Sequence, residues 1–241
     1  MSALAFAAAA QEVSWRVPTS VPEGSPYYEN FLVRFADNVE LLTDGRVEIQ
    51  PFGAGILVPA LEVYAGVKDG ITEAGHSTPS YLVNQNPENA IFSGFPGGMG
   101  PEAYTTWIYE AGGKDALEKL RAAEVLKSLV VGIGASETMA HSNKPIKTAE
   151  DLKGLKYRTS GPWADVMKDY FGAVPTVVPP GEQTASFIAP GWVPVAMYSA
   201  PTPSTIFAAS RYAVARCSPY CTPASPSASM YMSVKAGAQP A

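Results

Sequence analysis

The chain has 241 residues, with 22 acidic and 17 basic side chains, a net charge of −5 and a pI near 5.1. That balance, with no Lys/Arg-rich tract, excludes the clustered cations that nucleic acids and anionic membrane surfaces require. No apolar run is long enough to span a bilayer, and the length suits one large core or two smaller ones.

Residues 1–10, MSALAFAAAA, join a short apolar stretch to small residues suited to cleavage. They read as the end of a secretory signal, with a helical tail as the alternative because the charged n-region is missing. Export to a periplasm follows from the first reading. Residues 13–18 then read as a strand and 19–24 as a loop. Ser25-Pro26 opens a helix to about Thr43, with an apolar stripe of Tyr28, Phe31, Leu32, Phe35, Val39 and Leu42. Asp44-Gly45 ends it, and 46–51 is the next strand.

A helix is expected from Pro59 to Gly70 and a strand over 71–77. This β-α-β-α-β alternation predicts an α/β domain with a largely parallel sheet, whose ligands sit beyond the carboxyl ends of the strands. His76, Ser77 and Tyr81 fall there. His76 as a general base is weighed against a structural, hydrogen-bonding histidine, which is the favoured reading. FPGGMG at 95–100 lacks the lysine and spacing of a phosphate loop and reads as a turn. Helices are predicted over 101–110 and 114–127, with Tyr104 and Trp107 in the core. A buried strand over 128–134 crosses toward a second domain.

The stretch 144–163, KPIKTAEDLKGLKYRTSGPW, carries the chemistry. Thr148 is the predicted cap of a short helix with Glu150 and Asp151 in its first turn. A strand follows over 156–159, then a helix opened by Ser160, Gly161 and Pro162. Arg158 therefore stands at a strand end beside a helix N-terminus, where a guanidinium fork and the helix dipole both favour a carboxylate. The bland alternative is a surface or ion-paired arginine.

IKTAEDLKGLKYRTSG resembles the substrate-binding proteins of tripartite ATP-independent periplasmic (TRAP) transporters, the DctP-like family. Further matches are TDGRVEIQPFGAGILVPALEVYAGVKDG at 43–70, WIYEAGG at 107–113 and GAVPTVVPPGE at 172–182. The resemblance spans roughly 13–182, with echoes in YSAPTP at 198–203 and PSASMYMSV at 226–234. It implies that Arg158 holds the ligand carboxylate. It also puts Glu137 where keto-acid-binding relatives carry a ligand-contacting glutamine. A glutamate there repels an anion unless protonated, metal-bound or turned away. His141 nearby is read as a loop residue.

Departures begin after Glu182. The family's amphipathic helix is replaced by QTASFIAPGWVP, whose Pro190, Gly191 and Pro194 oppose a helix. No Asp or Glu follows Glu182. Met197 stands where the family has a glutamate, and Tyr198 where it has an aromatic neighbour. The acid-free Pro/Ser/Ala-rich tail reads as a reading-frame disturbance or as genuine low complexity, and is expected to pack poorly. Cys217 and Cys221 lack two further ligands for zinc and receive no role.

The expected fold is therefore α/β, a two-lobed periplasmic binding protein (type II-like), incomplete at the C-terminus. Residues 1–10 would be a signal remnant, 11–134 lobe I, 135–199 lobe II and 200–241 an irregular tail. The expected function is capture of a small organic carboxylate for the permease subunits of a TRAP transporter. No enzyme activity, cofactor or nucleic acid is expected. Candidate ligand contacts are Arg158, Glu137, Trp163, Tyr81, His76 and Tyr198. The alternatives are a secreted hydrolase, for which no G-x-S-x-G or H-E-x-x-H exists, and a partly folded remnant of the binding protein.

Overall fold

The computed structural model describes residues 12–94, 98–134, 145–182, 192–193 and 229–235, with backbone alone at Trp192, Val193, Ser229 and Tyr231. The first sheet starts with β1 (Val13–Pro18) and β2 (Val47–Phe52), parallel from Val13↔Val47 to Pro18↔Phe52. A parallel bridge from Thr19 to His76 joins β1 to β3 (Ala74–Ser77). Then comes β8 (Ser229–Lys235), antiparallel to both β3 and β4 (Leu126–Ile133). The resulting order is β2-β1-β3-β8-β4, four parallel strands with one antiparallel strand inserted.

Helices cover this sheet on both faces. A π-helical turn, Tyr28–Val33, runs into α1 (Arg34–Leu42), and Leu32 and Ala36 bury against Val17, Ile49, Ala74 and Met232. The chain enters this segment through Ser25, whose Oγ accepts the Tyr28 N–H and donates to the Pro22 carbonyl, which agrees with the predicted cap. α2 (Val63–Lys68) packs on β3 at Gly75. A Cβ there would lie 2.6 Å from Val63 and 2.8 Å from Val67, so only glycine permits this approach. α3 (Pro101–Glu110) and α4 (Gly113–Ala123) close a cluster of Phe92, Tyr104, Ile108, Leu117 and Leu120. Trp107 stacks on Phe92 with ring centroids 5.5 Å apart.

The second sheet is smaller. β5 (Lys156–Arg158) lies between β6 (Val174–Thr176) and β7 (Trp192–Val193), parallel to both. α5 (Pro162–Asp169) covers it, and Leu152, Tyr157, Met167 and Ala173 form the core. The two sheets define two α/β lobes, as expected.

Several expectations are corrected. The helix read through 127 stops at Ala123, because Val125 takes φ 59°, a left-handed turn that returns the chain into β4. Thr148 does not cap with its side chain. Asp151 Oδ2 instead accepts the Lys147 and Thr148 N–H groups, both at 2.8 Å, ahead of a 3-10 turn at Glu150–Leu152. The largest correction concerns the tail. Ser229–Lys235 is an inner strand of the first sheet, with Met230, Met232 and Ser233 at most 2% exposed. Its alternating Met-Tyr-Met-Ser-Val pattern suits a buried strand, but its place in the sheet depends on distant partners, 74–77 and 126–133. The expectation that 183–194 lacks the family helix falls outside the described residues apart from 192–193.

Candidate functional site

Arg158 ends β5 in the middle strand of lobe II. Strand alternation puts Tyr157, fully buried, into the lobe II core and Arg158 on the other face. The Arg158 side chain is itself 5% exposed, which excludes the reading of an exposed surface arginine. Its Nε and Nη2 donate to the Val178 carbonyl at 3.1 and 2.9 Å, from the segment just past β6. These bonds fix the orientation of the guanidinium. Gly161, at φ 65° and ψ −157°, turns the chain into α5, and Pro162 takes its first helical position. The helix N-terminus thus opens three residues beyond the guanidinium and adds partial positive charge on that side.

The facing wall comes from lobe I. After β3 the chain passes Thr78 into a 3-10 turn, Pro79–Leu82. Thr78 Oγ1 contacts Ser80 Oγ at 3.2 Å and accepts the Ser80 N–H. Ser80 Oγ in turn receives a hydrogen bond of 3.2 Å from Ser160 Oγ, two residues past Arg158. Tyr81 is half-buried on the same turn. Segments that follow strand ends in both lobes therefore meet at this contact.

The remaining sequence candidates divide. Trp163 turns into lobe II: its Nε1 donates to Tyr157 Oη at 3.3 Å and its ring meets Phe171 edge-on at 6.4 Å. His76 is fully buried, with Nδ1 2.8 Å from Thr19 Oγ1 and Nε2 without a partner among the described residues. Burial alone drives its pKa down to about 3, so the ring is neutral. It is a structural histidine joining β1 to β3. Glu137, His141 and Tyr198 lie outside the described residues. Sequence reasoning missed Ser80, Ser160 and the Val178 carbonyl. The Thr-Pro-Ser and Ser-Gly-Pro turn triplets were the available signal, but a hydroxyl pair across two lobes has none.

Among the described residues no group of three or more His, Cys, Asp or Glu side chains could hold a metal ion. No helix among them is long and apolar enough to cross a membrane.

Comparison with known proteins bears on the fold and the family. A monocarboxylate 2-oxoacid-binding periplasmic protein from Nostoc sp. is 34% identical over 170 residues, 70% of this chain and 46% of the relative. The chain thus spans about half the length of that curated relative. A TRAP transporter solute-binding protein from Bordetella bronchiseptica RB50, solved with calcium and picolinate, superposes with a TM-score of 0.80 at 24% identity. One from Pseudoalteromonas atlantica T6c, solved with sodium and pyruvate, superposes with a TM-score of 0.79 at 23% identity. Both superpositions cover 94% of this chain, and 66% and 67% of the solved chains. Residues 17–185 match bacterial extracellular solute-binding protein family 7, a span that holds both walls of the cleft and Arg158, and the chain belongs to that family.

Proposed function

We propose that the protein is a periplasmic solute-binding protein that captures a small organic carboxylate and presents it to the membrane permease subunits of a TRAP-type transporter. It performs no catalysis on that ligand. A 2-oxo acid of pyruvate size is the first choice, supported by the name of the Nostoc relative and the ligand of the Pseudoalteromonas structure. Lobe I is assigned to 11–134 with the added strand Ser229–Lys235, and lobe II to 135–199, with the ligand between them.

One observation carries the reading: a buried arginine at the end of a central parallel strand, held by a backbone carbonyl beside a helix N-terminus. Arg158 anchors the carboxylate, and Tyr81, with Glu137 and Tyr198, completes the pocket. Trp163 acts by bracing Tyr157, the neighbour of Arg158, and His76 by fixing the strand end that leads to Tyr81.

Calorimetry with pyruvate and with its neutral methyl ester tests the proposal. It is run with calcium present and absent, because a carboxylate at position 137 tolerates an anionic ligand only when protonated, metal-bound or turned away. Pyruvate is expected to bind and the ester to bind at least about tenfold more weakly, the loss of one charge-assisted contact. Equal binding of acid and ester, or no binding of pyruvate or other small carboxylates, would overturn it.

A further inference from the structure

Strand β8 sits between β3 and β4, with Ser233 opposite Gly75 and Ser128, and Val234 opposite Lys127. On one face Met232 and Val234 pack with Val17, Leu32 and Ile49, and Met230 packs with Val21 and Tyr27. The sequence carries this alternation further both ways, with Ala228 and Ala236 at the next positions. A shift of two residues in either direction therefore keeps an apolar side chain at each place on that face. Side-chain size favours the observed register, but the pattern bars neither neighbour. The opposite face is not degenerate: Ser229, Tyr231, Ser233 and Lys235 follow one another along it. Ser233, 1% exposed, is hydrogen-bonded to Ser128 Oγ. Its partner Gly75 packs against α2, which carries Tyr64. Burial raises the pKa of the Tyr64 phenol, against the pull of Arg121 and Ser233 beside it. Arg121 is fully buried, with its guanidinium 5.1 Å from the centre of the Tyr64 ring and Nη1 donating to Glu124. Nε and Nη2, the donors of its other edge, have no partner among the described residues.

We propose that Ser233, Tyr64 and Arg121 form a register lock for β8, in which Arg121 keeps Lys235 out of the place that Ser233 fills. A slip that brought Lys235 there would bury an ammonium beside a guanidinium. Desolvation and like charge both oppose that move. The reverse slip would bring Tyr231 into a place that fits a hydroxymethyl group, and overpacking opposes it. The apolar face thus draws β8 into the sheet, and the polar face decides which residue pairs with which. The lock concerns how the chain re-enters lobe I after lobe II, so it stands apart from the carboxylate reading.

Disulfide trapping in the full chain reads the register, with Cys217→Ser and Cys221→Ser as the background. Lys127→Cys with Val234→Cys reports the observed pairing, and Lys127→Cys with Ala236→Cys reports the slip that brings position 235 forward. With Lys235 in place, only the 127–234 pair is expected to cross-link. Lys235 is exposed in the observed register, so replacing it leaves the packing of that register intact. Lys235→Glu is expected to raise the 127–236 cross-link, because a carboxylate in the place of Ser233 meets the two unpartnered donors of Arg121. Lys235→Arg keeps the length and the positive charge and should give no such cross-link. The yield in Lys235→Glu should exceed that in Lys235→Arg at least about tenfold, since a buried unpaired charge separates the two. If a cysteine pair disturbs folding, cross-strand NMR contacts of Ser128 with position 233 or 235 read the same two registers without it. Equal slipped populations in Lys235→Glu and Lys235→Arg, whether high or low, would overturn the lock and assign the register to side-chain size alone.

Discussion

Lobe I and lobe II share a β-α alternation but not a depth of core. Lobe I spreads its buried apolar residues over four clusters and an assembly of five strands. The described part of lobe II has one cluster of four buried residues and strands of three, three and two residues. Yet the proposed ligand anchor, Arg158, stands on the slighter lobe. The difference teaches how the labour is divided. A deep core can absorb costly buried groups, such as neutral His76 and the Arg121–Glu124 pair. A slight one can move as a unit and carry its anchor toward the other lobe, since local opening follows low contact density.

The largest effect expected from breaking this contrast lies in lobe I. Arg121 is fully buried, paired with Glu124 and set 5.1 Å above the Tyr64 ring. Glu124→Gln leaves that charge uncompensated and should cost about 3 kcal/mol in chemical denaturation. An unchanged midpoint would show that the deep core does not depend on the pair.

Met167→Ala strikes the other side. It empties part of the only described cluster in lobe II and should cost about 2–3 kcal/mol. Hydrogen exchange should then quicken in β5 and β6 while amides of β1, β2 and β8 keep their protection. Uniform quickening would merge the lobes into one cooperative unit.

The His76 prediction concerns pH. Its folded pKa of about 3 lies below the ordinary 6.5, so the unfolded chain takes up the proton first as pH falls. The stability is complete above pH 6.5 and drains away between 6.5 and 3. Between pH 7.5 and 5 the loss should be about 2 kcal/mol. His76→Gln should remove that slope. An equal slope in the variant would assign it to other groups.

The smallest effect sharpens the boundary of α4. Val125, β-branched, holds φ 59° where glycine is at ease. Val125→Gly should raise lobe I stability by about 1 kcal/mol. A loss would mean that the exposed valine side chain packs better than its backbone suggests.

Much of this architecture is legible in the sequence because its determinants are local. Pro101 and Pro162 start α3 and α5 as expected, and the Lys-Tyr-Arg strand before Thr-Ser-Gly-Pro places Arg158 correctly. What eluded the sequence reading is long-range or unlike its type. β8 looks like part of a Pro/Ser/Ala tail, and only pairing with residues 74–77 and 126–133 makes it a strand. Val125 misleads because a β-branched residue performs a glycine's task. Trp163 invites a pocket role, yet its indole N–H finds Tyr157 within its own lobe. The Ser80–Ser160 bond joins residues 80 positions apart, and no local pattern announces it.

The central claim is that Arg158 anchors a carboxylate between the lobes, and pyruvate affinity of the parent, Arg158→Ala and Arg158→Lys measured by calorimetry tests it most directly. Removing the guanidinium leaves a desolvated anion unpaired, a cost of about 2–5 kcal/mol. Arg158→Ala should therefore bind about 30-fold to several thousand-fold more weakly. Arg158→Lys should recover only part of the loss, because an ammonium lacks the planar fork. Equal pyruvate affinity in the parent and Arg158→Ala would contradict the account and place the anchor elsewhere.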